Sequence, residues 1–364
     1  MPHVSERLLL GPGPSPVAPR VMRAMASPVI SHLDLEMMAI LDDIRARLGW
    51  TFRAGDGSFS FAVSGTGTSG METAVANLTR PGTRAVVVVT GYFGDRLAQM
   101  LRRYGAAVTR VDVEWGRACD PSRLEAALRE GGADLVAMVH AETSTGVLNP
   151  VAELCRVAST AGAMTIVDAV TSLGAHPVDA SAWGADVVYS CTQKGLGAPS
   201  GLAPITFSPR ARDFRRKAEE SRSFYFDLGL LEDYWANRKY HHTISAPLVY
   251  ALQEALAAVQ EEGLEARWAR HRTNHLALVE ALATLGLGLL PPAAERLWSL
   301  NAVTVPSGVD EAHVRRQLLD RFGIEIGAGL GPLAGKIWRV GLMGSGSTRE
   351  HVDRLTGALK SILG

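Results

Sequence analysis

Apolar residues in the first half of this 364-residue chain gather in short runs rich in β-branched side chains. Such runs predict buried strands at 59–63, 85–90, 108–113, 134–139, 164–167 and 187–189. Segments with helical apolar spacing lie between most of them and predict helices at 71–78, 94–104, 121–128 and 151–160. Strand and helix would alternate without a break from about residue 59 to 207. This alternation predicts a doubly wound α/β domain with a mostly parallel sheet.

The pattern changes after this region. Longer helices are predicted at 248–262 and 265–284, in addition to one at 35–48 that precedes the sheet. A smaller α+β unit is predicted to follow, with strands at 302–305 and 337–342 and helices at 311–321 and 348–362. Alternating Gly and Pro near the start disfavour a helix or a regular strand and predict an extended arm. We therefore expect an arm over 1–15, a large domain over 16–262 and a small domain over 263–364.

Candidate chemistry begins with two polar residues at the ends of predicted strands. Asp168 ends one strand, and Lys194 follows another. Ligands of open parallel sheets bind beyond the carboxyl ends of the strands, so both side chains would face one crevice. A lysine that can form a Schiff base and a carboxylate that keeps a pyridine nitrogen protonated are suited to pyridoxal phosphate. From spacing alone, a surface lysine and a helix-capping aspartate remain the alternative.

A glycine-rich turn at 65–70 joins a predicted strand to a predicted helix. This arrangement aims backbone N–H groups and the helix dipole at a phosphate, and Thr66, Thr68 and Ser69 add hydroxyl groups. The glycine spacing also matches the dinucleotide fingerprint, which needs an acidic residue about 20 positions later. The next strand ends in Thr90 instead. A single phosphate therefore fits better, and a non-catalytic dinucleotide- or phosphate-binding module is the rival hypothesis.

Three other features could belong to the same crevice. Phe93 lies on a strand-to-helix turn, where an aromatic ring could stack on a flat cofactor or belong to the core. Polar residues at 140–146 follow a buried strand, and a hydrogen-bonded turn would also explain them. Arg339 lies in an apolar strand, where a guanidinium is costly unless it pairs with an anion. A substrate carboxylate or a buried salt bridge would meet that need.

Charge and composition exclude several classes of protein. Lys plus Arg and Asp plus Glu both number 37, which leaves no basic field for nucleic acid or a membrane surface. No apolar run approaches the roughly 20 residues of a membrane span, and the first residues lack a signal-peptide pattern. The three cysteines form no CxxC pair, and the adjacent His241 and His242 have no third ligand at metal spacing. We expect a cytoplasmic protein without a bound metal.

Taken together, these segments resemble the class V aminotransferases of fold type I. Within them, the chain is most similar to the alanine–glyoxylate and serine–glyoxylate or serine–pyruvate branch. The similarity covers nearly the whole chain, from the Gly-Pro-rich segment 9–15 to 339–342. Its most specific parts are Ser-x-x-Gln-Lys at 190–194, Glu-Thr-Ser-Thr-Gly at 142–146 and Tyr-His-His-Thr-Ile at 240–244.

The resemblance implies roles for individual residues. Lys194 would be the Schiff-base lysine and proton shuttle, and Asp168 the partner of the pyridinium nitrogen. Arg339 would bind the substrate carboxylate. The Gly-Pro segment around Gly13 is either a simple leader or a segment whose backbone amides lie along that carboxylate.

The remaining implied contacts are to the cofactor, pyridoxal 5'-phosphate. Its phosphate or ring would be contacted by Thr66, Gly67, Thr68, Phe93, Thr143, Val170 and Gln193, and by Tyr240 and Thr243 of a neighbouring subunit. Contacts from a neighbouring subunit imply a homodimer with shared active sites. Three positions depart from the family pattern: some relatives carry Ser and His in place of Thr66 and Thr68, and many carry Trp in place of Phe93.

The expected activity is a ping-pong transamination. A small amino acid, alanine or serine, would exchange its amino group with a small 2-oxo acid, glyoxylate or pyruvate. A 2-aminoethylphosphonate–pyruvate transaminase or a lyase of the same fold remains as an alternative. A cysteine desulfurase would need a nucleophilic cysteine in the later part of the chain, and no cysteine follows Cys191.

Overall fold

A seven-stranded mixed sheet forms the centre of the protein, whose computed structural model describes residues 5–218 and 221–364. Within these residues the strands are β1 (Leu8–Leu9), β2 (Phe59–Gly65), β3 (Arg84–Val89), β4 (Ala107–Asp112), β5 (Leu135–Val139), β6 (Ala141–Glu142), β7 (Val147–Leu148), β8 (Met164–Asp168), β9 (Val187–Tyr189), β10 (Gly201–Phe207), β11 (Leu300–Thr304), β12 (Ile324–Glu325), β13 (Gly327–Ala328) and β14 (Ile337–Gly341).

The α-helices of the same residues surround this sheet and a smaller one. They are α1 (Pro19–Met25), α2 (Leu35–Thr51), α3 (Gly67–Leu78), α4 (Tyr92–Arg103), α5 (Pro121–Gly131), α6 (Val151–Thr160), α7 (Pro209–Lys217), α8 (Leu228–Asn237), α9 (Ala246–Glu262), α10 (Leu264–Thr284), α11 (Glu311–Phe322) and α12 (Arg349–Leu363). Several begin at a side chain that accepts a hydrogen bond from the first helical turn, as the sequence chemistry of N-caps predicts. These capping residues are Asp34, Asp120, Ser208, Asp227, Asp310 and Thr348.

The strand order of the large sheet is β2-β10-β9-β8-β5-β3-β4. Neighbouring strands are parallel except at β10, which runs antiparallel to both β2 and β9. Every residue of β5 and β8 is buried, because helices cover the sheet on both faces and leave no strand face open to water. The prediction of an α/β fold with a mostly parallel sheet is confirmed.

The predicted unbroken alternation of strand and helix is wrong after β8. Strands β8, β9 and β10 follow one another without an intervening helix. Residues 169–186 form successive turns instead, which include Gly174 with a φ of +77° and Pro177. A proline without an N–H group and a left-handed glycine both oppose a continuous helix.

A second, smaller sheet lies in the C-terminal part of the chain. Its strands are antiparallel in the order β11-β14-β13, and α10, α11 and α12 pack around it. A separate hydrophobic cluster fills this region, and Trp338 and Leu355 are among its buried residues. Leu10, which lies in the N-terminal segment, belongs to the same cluster.

The N-terminal segment connects the two sheets. Strand β1 pairs in parallel with β12, and the carbonyl of Leu10 accepts a hydrogen bond of 2.8 Å from the N–H of Gly341. A few residues later, the N–H of Ser15 donates to the carbonyl of Gln193 at 2.9 Å. The segment between these anchors therefore passes over the carboxyl end of β9. In the described part of the chain, no helix combines the length and the apolar character that crossing a bilayer requires.

Candidate active site

Lys194 lies on the loop from β9 to β10 and is buried, with 8% of its surface exposed. Its Nζ atom donates a hydrogen bond to the carbonyl oxygen of Pro12 in the N-terminal segment. Burial lowers the pKa of the Lys194 amine, because removal from water disfavours the charged form. A larger share of this amine is therefore neutral, as a nucleophile or a base requires.

The backbone around Lys194 is held from two sides. The hydroxyl of Ser15 donates to the carbonyl of Lys194 at 2.9 Å. From α10, the buried guanidinium of Arg267 donates to the carbonyls of Gly195 at 2.8 Å and Gly174 at 2.9 Å. These bonds fix the loop that carries the lysine to the loop that follows Asp168.

Asp168 is the last residue of β8 and is 2% exposed. Its carboxylate accepts hydrogen bonds from the hydroxyl of Tyr189 at 2.7 Å and from the N–H of Val170 at 2.8 Å. Burial raises the pKa of Asp168 to about 6, because desolvation outweighs these two bonds. The parallel register of β8 and β9 sets Asp168 opposite Tyr189, a partner that sequence reasoning missed.

The glycine-rich turn leads from β2 into α3. Thr66 is the N-cap of this helix, but its hydroxyl makes no capping bond and stays available to a ligand. A Cβ atom on Gly67 would lie 3.0 Å from a methyl carbon of Val170, so glycine permits the close approach of these two segments. The turn thus presents hydroxyl groups and the positive end of a helix dipole.

A cavity of about 160 Å³ opens between these elements. It is lined by Thr66, Gly67, Thr68, Met71, Phe93, Arg96, Asp168, Val170, Gln193 and Lys194. All but two of these residues were predicted as site residues, and the structure brings them to one place. The two that sequence reasoning missed are Met71 and Arg96, which lie on helices one turn beyond the predicted positions and carry no motif of their own.

The polar segment after β5 forms a hydrogen-bonded turn, one of the two explanations that the sequence allowed. The buried carboxylate of Glu142 accepts bonds from the N–H groups of Gly94 at 3.2 Å and Ser144 at 3.1 Å. Burial raises the pKa of Glu142. The hydroxyl groups of Thr143 and Thr171 are hydrogen-bonded to each other. Thr143, a predicted cofactor contact, does not line the cavity. Glu142 therefore anchors the first turn of α4, which carries Phe93.

Arg339 lies in the middle of β14 and is 7% exposed. Its guanidinium donates to the carbonyls of Ala328 at 2.7 Å and Thr143 at 3.4 Å. No carboxylate of the described residues lies within 4.0 Å of it, so the buried salt bridge considered from the sequence is not formed among them. Burial lowers the pKa of Arg339 to about 10, and the group remains charged at neutral pH.

Gly13 lies against the lysine. A Cβ atom at this position would come within 2.5 Å of Cε of Lys194, and the φ of Gly13 is +114°. Only glycine suits this conformation and this contact. At Gly13 the N-terminal segment therefore approaches the Lys194 side chain through backbone atoms alone.

Tyr240 and Thr243 do not line the cavity of their own chain. They lie on the segment between α8 and α9, where Tyr240 is 63% exposed and Thr243 is also exposed. Between them, the Nε2 atom of the buried His242 is 2.7 Å from the hydroxyl oxygen of Ser64, near the end of β2. The segment is therefore fastened next to the glycine-rich turn while its two predicted cofactor ligands face outward.

The residues of the cavity fit pyridoxal phosphate. A buried amine with a lowered pKa and a buried carboxylate line one space with a helix N-terminus. The Oε1 atom of Gln193 is buried without a hydrogen-bond partner among the described residues, which marks a place for a polar ligand group. The fold and this constellation define a fold type I enzyme of pyridoxal phosphate.

Comparison with known proteins identifies the family within this class of enzymes. The sequence profile described as "Aminotransferase class-V" matches residues 8–355. The (S)-ureidoglycine–glyoxylate transaminase of Bacillus subtilis is 36% identical, over 98% of this chain and 90% of that protein. The alanine–glyoxylate aminotransferase of Oryctolagus cuniculus is 38% identical, over 100% of this chain and 93% of its own length.

Comparison with solved structures gives the same result as comparison of sequences. The crystal structure of the alanine–glyoxylate aminotransferase from Nostoc sp. has a TM-score of 0.97 and 43% identity, covering 100% of this chain and 96% of that one. Pyridoxamine–pyruvate aminotransferase from Mesorhizobium loti has a TM-score of 0.93 at 25% identity, over 99% of this chain and 94% of its own. This chain belongs to the class-V aminotransferase family. It is a transaminase, and its cofactor is pyridoxal phosphate.

Proposed function

We propose that this enzyme transfers the amino group of alanine or serine to a small 2-oxo acid, glyoxylate or pyruvate. The observation that carries the proposal is that Lys194 and Arg339 both lie next to the N-terminal segment, while Asp168 lines the same cavity as the lysine. The Nζ atom of Lys194 donates to the carbonyl of Pro12. A Cβ atom on Gly327 would meet Cδ of Pro12 and lie 3.6 Å from Cβ of Arg339, so both cationic residues lie beside the same proline. A substrate held by its carboxylate at Arg339 would have its amino-bearing carbon close to the lysine.

The names of the relatives support glyoxylate as the acceptor. Glyoxylate occurs in the names of the Bacillus subtilis, Oryctolagus cuniculus and Nostoc enzymes, whereas the donor differs between them. The N-terminal segment also favours small substrates, because its backbone at Pro12 and Gly13 lies directly against the Lys194 side chain.

The eight predicted residues of the cavity each have a proposed task. The cofactor would be held at its ring nitrogen by Asp168, at its phosphate by the turn 66–68 and Gln193, and on its ring faces by Phe93 and Val170. When bound, it supplies an aldehyde that carries the amino group and a ring that accepts electrons. The Nζ atom of Lys194 would move the proton of the substrate α-carbon, for which a neutral amine is needed.

The substrate would be oriented by two elements. The planar guanidinium of Arg339 can grip a carboxylate with two parallel hydrogen bonds. The N-terminal segment around Gly13 would cover the substrate and keep water from the reacting atoms. Thr143, whose carbonyl accepts a bond from Arg339, would link the ring end of the site to the carboxylate end.

We also propose that the enzyme works as a cytoplasmic homodimer with shared sites. The exposed Tyr240 and Thr243 would enter the site of a second copy. Ring contacts join Tyr240 to His32 and Phe224 to His241, and Phe224 is 73% exposed. A second copy would cover this aromatic surface. The three cysteines are buried and free, as expected for a reducing compartment.

A substrate panel tests the proposal. The purified enzyme, saturated with cofactor, would be assayed with alanine, serine, (S)-ureidoglycine and 2-aminoethylphosphonate as donors and with glyoxylate and pyruvate as acceptors. We expect the highest kcat/KM for alanine or serine with glyoxylate. Lys194→Ala, folded by circular dichroism, should be inactive and should not retain the cofactor covalently after borohydride reduction. A preference for 2-aminoethylphosphonate, or continued product formation beyond one equivalent per active site in the absence of any acceptor, would contradict the assignment.

A further inference from the structure

Arg96 lies in the first half of α4 and contributes its side chain to the cavity. Its Nη1 atom donates a hydrogen bond of 3.1 Å to the hydroxyl of Thr68. The guanidinium carbon lies 5.0 Å from the centre of the Phe93 ring and 5.1 Å from that of Tyr92. The side chain is therefore held between the glycine-rich turn and the aromatic residues that begin α4.

The charge of Arg96 has no anionic partner in the described residues. No carboxylate there lies within 4.0 Å of its guanidinium. The adjacent Asp95 is engaged elsewhere, because it pairs with Arg110 and accepts a hydrogen bond of 2.5 Å from Gln99. An arginine that is half-buried, fixed in position and without a carboxylate is ready to bind an anion.

The position of Arg96 in the cavity determines which anion its guanidinium would bind. Two cationic side chains line the cavity, Lys194 and Arg96. Lys194 points its amine at the carbonyl of Pro12, on the side of the N-terminal segment. Arg96 lies instead beside Thr68, on the side of the glycine-rich turn. That turn provides hydroxyl groups and a helix dipole worth about half a positive charge, which is too little for a phosphate dianion.

The rest of the fold holds Arg96 in place. Glu142 accepts hydrogen bonds from the N–H groups of Phe93 at 3.4 Å and Gly94 at 3.2 Å, so the start of α4 is anchored to the core. The guanidinium is thereby positioned before any ligand enters, which lowers the entropic cost of binding.

We propose that Arg96 is a phosphate-binding residue that supplies the formal positive charge offsetting the phosphate of the cofactor. The proposal rests on the proposed function, since the phosphate concerned is that of pyridoxal phosphate. It assigns Arg96 a charge role in addition to the neutral contacts predicted for the turn 66–68. Its hydrogen bond to Thr68 makes the two side chains one phosphate-binding unit.

The test compares two ligands that differ only in the phosphate. Cofactor-free wild type, Arg96→Gln, Arg96→Lys and the control Arg103→Gln would be titrated with pyridoxal phosphate and with pyridoxal, following tryptophan fluorescence. Arg103 is an exposed residue of the same helix. We expect Arg96→Gln to raise the Kd for pyridoxal phosphate roughly 10- to 150-fold, as for a lost hydrogen bond to a charged group. The Kd for pyridoxal should change less than about twofold, Arg96→Lys should recover most of the loss, and Arg103→Gln should match wild type.

The outcomes separate the inference from the function on which it rests. If Arg96→Gln lost affinity equally for both ligands, Arg96 would only support the Phe93 ring. If it lost affinity for neither ligand, the charge of Arg96 would face solvent. Each of these results overturns the inference while leaving the transaminase assignment intact. Failure of the wild type to bind pyridoxal phosphate more tightly than pyridoxal would instead contradict the proposed phosphate site itself.

Discussion

The Asp168 carboxyl group holds its proton more tightly in the folded protein than in the unfolded chain, because burial raises its pKa from 3.8 to about 6. Its contribution to stability is therefore fully present below about pH 4 and is lost as the pH rises through about 6. At neutral pH the cofactor-free protein carries a buried carboxylate at a cost in stability. A positively charged ring nitrogen would offset this cost, which links the stability of this residue to its proposed role.

We expect Asp168→Asn to stabilise the cofactor-free protein at pH 7 while abolishing most activity. An asparagine can accept from the N–H of Val170 and donate to the oxygen of Tyr189, without the cost of ionisation. A pKa difference of about two units corresponds to roughly 2–3 kcal/mol in the free energy of unfolding. Urea unfolding at pH 4 and pH 7 measures the effect, which should be small at pH 4.

Asp134→Asn is a matched control with the opposite sign. Its bond to the Arg84 guanidinium lowers the pKa of Asp134, so its contribution to stability is present at neutral pH and is lost as the pH falls. This variant should therefore be less stable at pH 7. An Asp168→Asn protein that is destabilised at pH 7, or that keeps its turnover, would show that the carboxylate has only a structural role.

Arg339 is expected to act on both substrates, since every amino donor and oxo acceptor carries a carboxylate. Arg339→Ala would leave that anion without a partner in a buried site, which typically costs about 2–5 kcal/mol. We expect kcat/KM to fall roughly 30-fold to several thousand-fold in both half-reactions, and somewhat less in Arg339→Lys. Stopped-flow kinetics with each substrate would measure this. Normal rates in both half-reactions would mean that Arg339 has only a structural role, through its hydrogen bonds to the carbonyls of Ala328 and Thr143.

At the scale of elements, the site depends on where strands end and which segment covers them. Strands β8 and β9 are adjacent and parallel, so Asp168 and the loop of Lys194 emerge at one edge. The N-terminal segment is pinned at Leu10 by β14 and at Ser15 by the Lys194 loop. Its position over the lysine follows from these two anchors and from the absence of a side chain at Gly13.

Gly13→Ala tests this close contact. The new methyl group would meet the Lys194 side chain, and overpacking of this kind typically costs about 1–3 kcal/mol. We expect kcat/KM to fall by about tenfold or more and the visible absorbance of the bound cofactor to shift, because the lysine must move. Gly82→Ala is the matched control, since its φ is +83° and nothing lies within 4 Å of the new Cβ. The control should lose about 1 kcal/mol of stability and no activity. Equal activity losses in both variants would argue against a specific contact.

At the scale of the whole molecule, completion of the site is expected to require two copies. Tyr240 and Thr243 are exposed next to the glycine-rich turn, and the cavity of one chain lacks them. Inactive Lys194→Ala mixed with a Tyr240→Phe/Thr243→Val variant should form hybrid dimers. One of the two sites in such a dimer would carry neither defect.

Activity should therefore reappear on mixing and approach about a quarter of the wild-type value for random exchange of subunits. Sedimentation measured in parallel would establish the size of the active species. An active monomer, or a mixture that stays at the activity of the double variant alone, would contradict shared sites.

Local sequence determined much of this protein. Short β-branched runs determined the buried strands, and capping residues determined where several helices start. The motifs around Lys194, Asp168 and the turn 66–68 determined the chemistry of the site. These features are predictable because a strand run, a cap or a glycine-rich turn depends on residues that are neighbours in the chain.

Only the tertiary structure decided the contacts between distant segments. The bond of Tyr189 to Asp168 depends on strand order, and the hold of Arg267 on the Lys194 loop depends on how α10 packs. The placement of Arg96 beside Thr68 depends on the distance between α3 and α4. None of these contacts follows from a local pattern, because the partners lie 21, 72 and 28 positions away. Packing of the whole chain brings such partners together, and spacing along the sequence does not encode it.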